Sequence, residues 1–287
     1  MRATPLPFRG GVWGWGYPKF ELRYPKSVSS KDEIFFKLYT PYFIRYTNNM
    51  DYKRILIKIS GEVLSGGQEG GWDTSTIKNI ASKIKGAKFK YPNLQIAVVV
   101  GAGNLARGGR LGEIGINRVD GDQVGMLGTV MNSIVIADIF NSCGLDSRAL
   151  SAISIPSAVD DYTPRRAANH LRKGRVVILG GGTSRPFMTT DTAAVLASLE
   201  LSCQAVFKAT KVDGIYSADP EKDATATKFT SLKLSEALEL PDVKVMDKTA
   251  LGMASEMQMP IIVFKLNAEN SVKLALEHSA DICTVVS

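Results

Sequence analysis

Histidine is nearly missing from this chain: 287 residues contain only His170 and His278. Both fall in stretches of helical period, so imidazole acid–base chemistry and histidine-rich metal sites are excluded as its working centre. Cysteine is scarce as well. Cys143, Cys203 and Cys283 are far apart, odd in number and without CxxC spacing, which fits reduced thiols in a cytoplasmic protein and neither a disulfide framework nor a zinc site. No GxxxxGK[ST] run occurs, so the lysine on which a P-loop depends is absent. No unbroken apolar run reaches the length of a membrane span, and no secretory h-region precedes the first acidic residue, Glu21.

Charge is present but unevenly placed. The net charge is +7, yet residues 1–49 hold 8 Lys/Arg against 3 Asp/Glu, which leaves the remainder close to neutral. A nucleic-acid-binding role as the main task is thereby disfavoured, since it requires a basic face on the folded part. Residues 1–49 also contain 12 of the 23 aromatic residues and no sustained period. They read as an N-terminal extension, disordered or upstream of a functional start at Met50, with residues 50–287 forming the domain.

From Asp51 onward, short β-branched runs at Ile55, Gln95, Arg175, Ala205, Pro260 and Ile282 alternate with helix-period segments. The helices are predicted near Thr74–Lys90, Gln123–Cys143, Pro164–Arg172, Thr192–Ser202, Val245–Gln258 and Ser271–His278. This pattern predicts an α/β fold, a three-layer αβα sandwich with a mostly parallel central sheet. In such sheets ligands gather where strands end, and the glycine-rich and polar segments here begin there.

Those segments carry phosphate chemistry. Lys58, Ile59, Ser60 and Gly61 close the first strand with one ammonium group and a tight turn. GAGNLARGG, Gly101–Gly109, matches a dinucleotide fingerprint, but the glycines after Arg107 continue a loop where that fingerprint needs a helix. A flexible loop carrying Arg107 suits wrapping of phosphates. GGGTSRPFMTTDTAA, Gly180–Ala194, offers hydroxyls, Arg185 and a carboxylate, Asp191, where a helix begins. That carboxylate is either a helix N-cap or a group that orients a lysine or metal. KATKVDGIYSADP, Lys208–Pro220, packs ammonium groups, carboxylates and Tyr216 into one run, as a nucleoside triphosphate site would.

These pieces, together with YKRILIKISGEVL from Tyr52, INRVDGDQVGMLGTVMN from Ile116, SAI at Ser151 and KVMDKTA from Lys244, resemble the bacterial-type uridylate kinases of the amino-acid kinase fold family. The resemblance spans Tyr52 to Val286 and implies phosphoryl transfer from ATP to UMP, with an N-terminal half for UMP and a C-terminal half for ATP. It implies that Lys58, Ile59, Ser60, Gly61, Gly103 and Arg107 contact the ATP phosphates and that Thr210, Tyr216 and Asp219 hold adenosine. UMP would be held by Ala102, Asp122, Thr183, Ser184, Arg185, Pro186, Phe187, Met188, Thr189 and Thr190, with Lys58, Asp191 and Arg107 catalytic. Mg²⁺ would come with ATP, with no metal site of the protein's own. A homo-oligomer, a hexamer by resemblance, and a GTP or UTP effector are also implied, with no membrane partner. Three features depart from the pattern. Ala102 replaces the middle glycine of GGGN, placing a methyl close to ligand; Ser184 and Arg185 stand where Gly and Asn are usual; and residues 1–49 have no counterpart. Other kinases of the fold, for acetylglutamate, aspartate or carbamate, and a silent nucleotide-sensing or metal-storing relative compete. Asp122 with KATKVDG favours the nucleotide branch, and the retention of Lys58 and Asp191 favours catalysis.

Overall fold

Strands form here because β-branched and aliphatic side chains occupy successive positions, and both faces of the sheet are covered, so alternation gives way to continuous burial. The computed structural model describes residues 52–106, 112–220, 222–223, 225–240 and 245–287. The expectations for residues 1–49 and Arg107 lie outside the described residues. Along the chain come β1 (Arg54–Ile59), a 3₁₀ turn (Gly61–Ser65), α1 (Thr74–Lys90), β2 (Gln95–Val100), α2 (Arg118–Ser142), β3 (Ser147–Ser151) and β4 (Asp160–Asp161). Then follow α3 (Pro164–Arg172), β5 (Val176–Gly180), α4 (Thr190–Glu200), β6 (Val206–Thr210), β7 (Ile215–Tyr216) and β8 (Lys228–Phe229). The described chain closes with β9 (Ser231–Leu232), α5 (Leu234–Glu239), α6 (Lys248–Glu256), β10 (Ile261–Lys265), α7 (Ser271–Leu276) and β11 (Cys283–Val286).

Among the described residues, nine strands make one sheet in the order β4-β3-β5-β2-β1-β6-β10-β11-β9, while β7 and β8 pair as a separate ribbon. All neighbours are parallel except β10 and β11. The predicted three-layer architecture is therefore the observed one. Ile55, Ile57 and Ile59 face a core shared with α1, α2 and α7, and Leu56 faces the opposite core with α3, α4, α5 and α6. Each such fully buried aliphatic side chain contributes about 1.5–3 kcal/mol. The chain order reverses around β1, which has β2 on one side and β6 on the other, so the ends of these three strands form the crevice expected to take ligand.

Helix starts follow their caps. Asp73 accepts from Thr76 N–H at 2.9 Å and opens α1 where expected, and Thr163 followed by Pro164 does the same for α3. α2 starts five residues before its predicted start at Gln123, because Asn117 caps it and the polar first turn hides the period. It also corrects the reading of apolar runs. By length and composition α2 is long and apolar enough to cross a membrane, but half of that stretch is buried within the fold, against β3 and β5.

Candidate active site

Lys58 on β1 and Lys208 on β6 stand side by side in the strand register, and both point to the face covered by α4. Like charges so placed repel, and one carboxylate reconciles them. Asp191, in the first turn of α4, has Lys58 Nζ 2.8 Å from Oδ1 and Lys208 Nζ 3.0 Å from Oδ2. The Lys58 contact is an ion pair without the angles of a directed hydrogen bond. Burial works to raise the Asp191 carboxyl, but the two ammonium groups outweigh it and hold it below the usual carboxylate range. For Lys208 burial lowers the ammonium below its ordinary value, with the Asp191 charge opposing the shift. The cluster carries two positive charges and one negative at the carboxyl edge of the sheet.

Asp191 is not the helix cap. Thr189 is, its hydroxyl accepting from the N–H groups of Asp191 at 3.0 Å and Thr192 at 3.3 Å. Asp247 accepts in turn from the hydroxyls of Thr189 and Thr192 while capping α6, and Lys208 donates to the Val245 carbonyl at 2.6 Å. Sequence reading placed Lys208 in the triphosphate-holding run without its pairing to Asp191, and missed Asp247. Their signals were the runs KATKVDG and KVMDKTA, but the contacts depend on which distant strands are neighbours.

The two loops beside the cluster touch through their backbones. A Cβ on Gly61 would lie 2.5 Å from both the Gly101 oxygen and the Gly103 nitrogen, so only glycine fits there. Ile59 is buried at the end of β1, and Ser60 leads into the 3₁₀ turn. Thr190 brings its hydroxyl to the same loop, 3.6 Å from where a Gly101 Cβ would stand. Ala102 is buried, and its Cβ packs toward α2, where a Cβ added to Gly128 would lie 2.9 Å away.

Thr210, Tyr216 and Asp219 come together in a cavity of about 460 Å³, lined also by Gly214, Pro220 and Val263. Val263 is the register neighbour of Lys208, which sets this cavity beside the charged cluster. The Tyr216 hydroxyl donates to Asp213 at 2.8 Å, and Lys228 holds the other oxygen of Asp213 at 2.9 Å. Thr210 turns its hydroxyl to the Val212 carbonyl, 2.6 Å away.

On the other side, Asp122 lies within α2, where Arg118 Nε donates to its two oxygens at 2.8 and 2.9 Å and the Phe187 N–H donates at 2.7 Å. Burial works to raise this carboxyl, yet those donors hold it below its ordinary value. The guanidinium of Arg118 also sits 5.7 Å from the Phe187 ring centroid. Ser184 (φ 57°) and Phe187 (φ 67°) are both left-handed, a conformation that costs a side-chain-bearing residue roughly 1–2 kcal/mol. A glycine at position 184 would avoid that cost. Thr183 and Ser184 line a second cavity of about 280 Å³ with Tyr162 and Glu200. Pro186 is half-buried, while Arg185, Phe187 and Met188 are exposed.

A model of the amino acid kinase family matches residues 53–265. The uridylate kinase of Nitrobacter hamburgensis is 45% identical over 226 residues, covering 79% of this chain and 94% of that protein. That of Rickettsia bellii is 38% identical over 239 residues, 83% of this chain and 99% of the relative. Among solved structures, a UMP kinase from Bacillus anthracis superimposes with a TM-score of 0.77 at 29% identity, covering 82% of this chain and 96% of that one.

Proposed function

The chain belongs to the amino acid kinase family, and we propose that it transfers the γ-phosphoryl group of ATP to UMP, giving ADP and UDP in pyrimidine nucleotide biosynthesis. The observation that carries this reading is the buried Lys58–Asp191–Lys208 cluster, flanked by the Tyr216 cavity on one side and the Asp122–Phe187 contact on the other. The relatives named uridylate kinase align over nearly their whole length, which favours UMP over other acceptors of the family.

In this reading adenosine occupies the Tyr216 cavity, its phosphates run over Ser60, Gly61 and Gly103, and UMP lies against Ala102, Asp122 and residues 183–190. The UMP phosphate is already an anionic nucleophile near neutral pH, so no general base is required. Repulsion between the two phosphates is the obstacle, and preorganised positive charge lowers it. Lys58 supplies that charge to the transferring group, with Arg107 brought by the glycine loop. Asp191 holds Lys58 and Lys208 in place. Both Asp191 oxygens face ammonium groups, and Mg²⁺ would be carried by ATP. Bound there, Mg²⁺ would neutralise phosphate oxygens.

A cytoplasmic homo-oligomer, with GTP or UTP as effector, belongs to the same reading. Val124, Leu127, Met131 and Ile134 form an exposed apolar stripe along α2, spaced as a helix–helix seam requires. An ADP-release assay across UMP, CMP, dTMP, AMP, acetylglutamate, aspartate and carbamate tests the activity. UMP should be strongly preferred, because cytosine reverses the donor and acceptor pattern that uracil presents. Equal turnover of CMP and UMP overturns the uracil assignment, and turnover of an amino acid or carbamate instead of UMP overturns the nucleotide one.

A further inference from the structure

Two carboxamides lie buried beside the glycine loops and have no part in the reading above. Asn132, midway along α2, is fully buried, and Asn104, after β2, nearly so. Burial of an amide is unfavourable unless its hydrogen-bonding capacity is met, and here it is met in a closed pattern. Asn132 Nδ2 donates to the Gly101 carbonyl at 2.8 Å and to Asn104 Oδ1 at 2.7 Å. Asn132 Oδ1 accepts from Asn104 Nδ2 at 3.1 Å and from Trp72 Nε1 at 2.7 Å. Asn104 Nδ2 also donates to the Gly71 carbonyl at 2.9 Å, and the Gly71 N–H returns to the Asn104 carbonyl at 3.1 Å.

An aliphatic side chain could be buried there without needing hydrogen-bond partners, so what the amides add is geometry. They tie three segments together: Gly71–Trp72 after the β1 turn, the loop from Gly101 to Ala106, and the helix that carries Asp122. Gly101 is held from both sides, since its N–H donates to the Ile59 carbonyl at 2.9 Å and its carbonyl takes Asn132. We infer that Asn104 and Asn132, with Trp72, are positioning residues for phosphoryl transfer: they fix the Gly101–Ala106 loop to the Asp122 helix and so set where donor and acceptor phosphates meet. Placement errors of about 1 Å can cost on the order of 10²-fold in rate.

The inference rests on the phosphoryl-transfer reading, and the two can fail separately. If wild-type enzyme turns over no UMP, that reading fails, and the comparison below is run with whichever acceptor of the panel it does use. Asn132→Leu keeps the number and branching of heavy atoms and removes all four hydrogen bonds. Its kcat at saturating substrates, measured at 10 °C and 25 °C on protein with a cooperative melt, should fall at least tenfold at both temperatures, by more than either nucleotide KM rises. A purely structural role would lower the melting temperature and leave kcat of the folded enzyme intact. A folded Asn132→Leu with kcat within tenfold of wild type, or with the loss confined to KM, overturns the inference. If Asn132→Leu does not fold, Asn104→Ser decides by the same split: a fivefold or larger fall in kcat supports it, a smaller one overturns it.

Discussion

The two ends of the crevice are built to different rules. At the Tyr216 end there is an open cavity, and its nearby carboxylate, Asp213, is held by Tyr216 and Lys228. At the Asp122 end the candidate ligand group is already occupied by Arg118 and by the Phe187 N–H, on a loop with two left-handed side-chain-bearing residues. In the proposed reading one end offers an open cavity, while at the other a ligand meets a carboxylate that already has protein donors. The charged cluster between them belongs to neither, which makes the contrast testable by asking which kinetic constant each substitution moves.

Lys58→Met should have the largest effect, lowering kcat by on the order of 10²–10³ through loss of one preorganised charge, with a much smaller change in UMP KM. Near-normal kcat in that variant, combined with an inactive Lys208→Met, would transfer the role to β6. A pH profile sharpens the point. Lys208 acts protonated and its pKa is lowered by burial, so kcat should be high below that pKa and fall as pH rises through it, on the acid side of the usual lysine range. Asp191 is depressed, so its stabilising ion pairs are complete above the ordinary carboxylate pKa and are lost only as pH falls through the lowered one. A flat alkaline limb up to the ordinary lysine value would remove Lys208 from the rate.

Asp122→Asn removes a charge-assisted hydrogen bond, about 1.5–3 kcal/mol, and should raise UMP KM roughly 10- to 100-fold with ATP KM within twofold. Tyr216→Ala should do the reverse, raising ATP KM about tenfold, the scale of losing a base–aromatic stack, and sparing UMP. If either substitution moves both constants together, the two ends are not independent. The smallest effect is expected from deleting residues 1–49, which should leave kcat/KM for UMP within a few-fold; a truncated protein that is insoluble or inactive would make the extension structural.

The parallel layers were legible because Ile, Val and Leu runs bounded by glycine are long enough to read, and because Asp73 and Thr163–Pro164 announce their helices. β3, reading SRALS, was not, since its polar residues interrupt the pattern, and neither were the two-residue strands of the ribbon. In the site, Lys58 and Asp191 stand out locally, one at a strand end and the other at a helix start. Lys208, Asp247 and the Asn104–Asn132 pair do not, because each acquires meaning only from a register or a crossing between segments far apart in the chain.

The pairing of Lys58 with Lys208 also constrains the order in which the molecule can assemble. α4 and β6 are consecutive, so Asp191 and Lys208, 17 residues apart, close their contact over a short loop at low entropic cost. β1 is far upstream and must arrive by a long-range encounter. A slip of one residue in that encounter would turn Lys58 into the opposite apolar core and leave Lys208 without its register partner. Thus the charge arrangement proposed for catalysis also penalises the misregistered sheet.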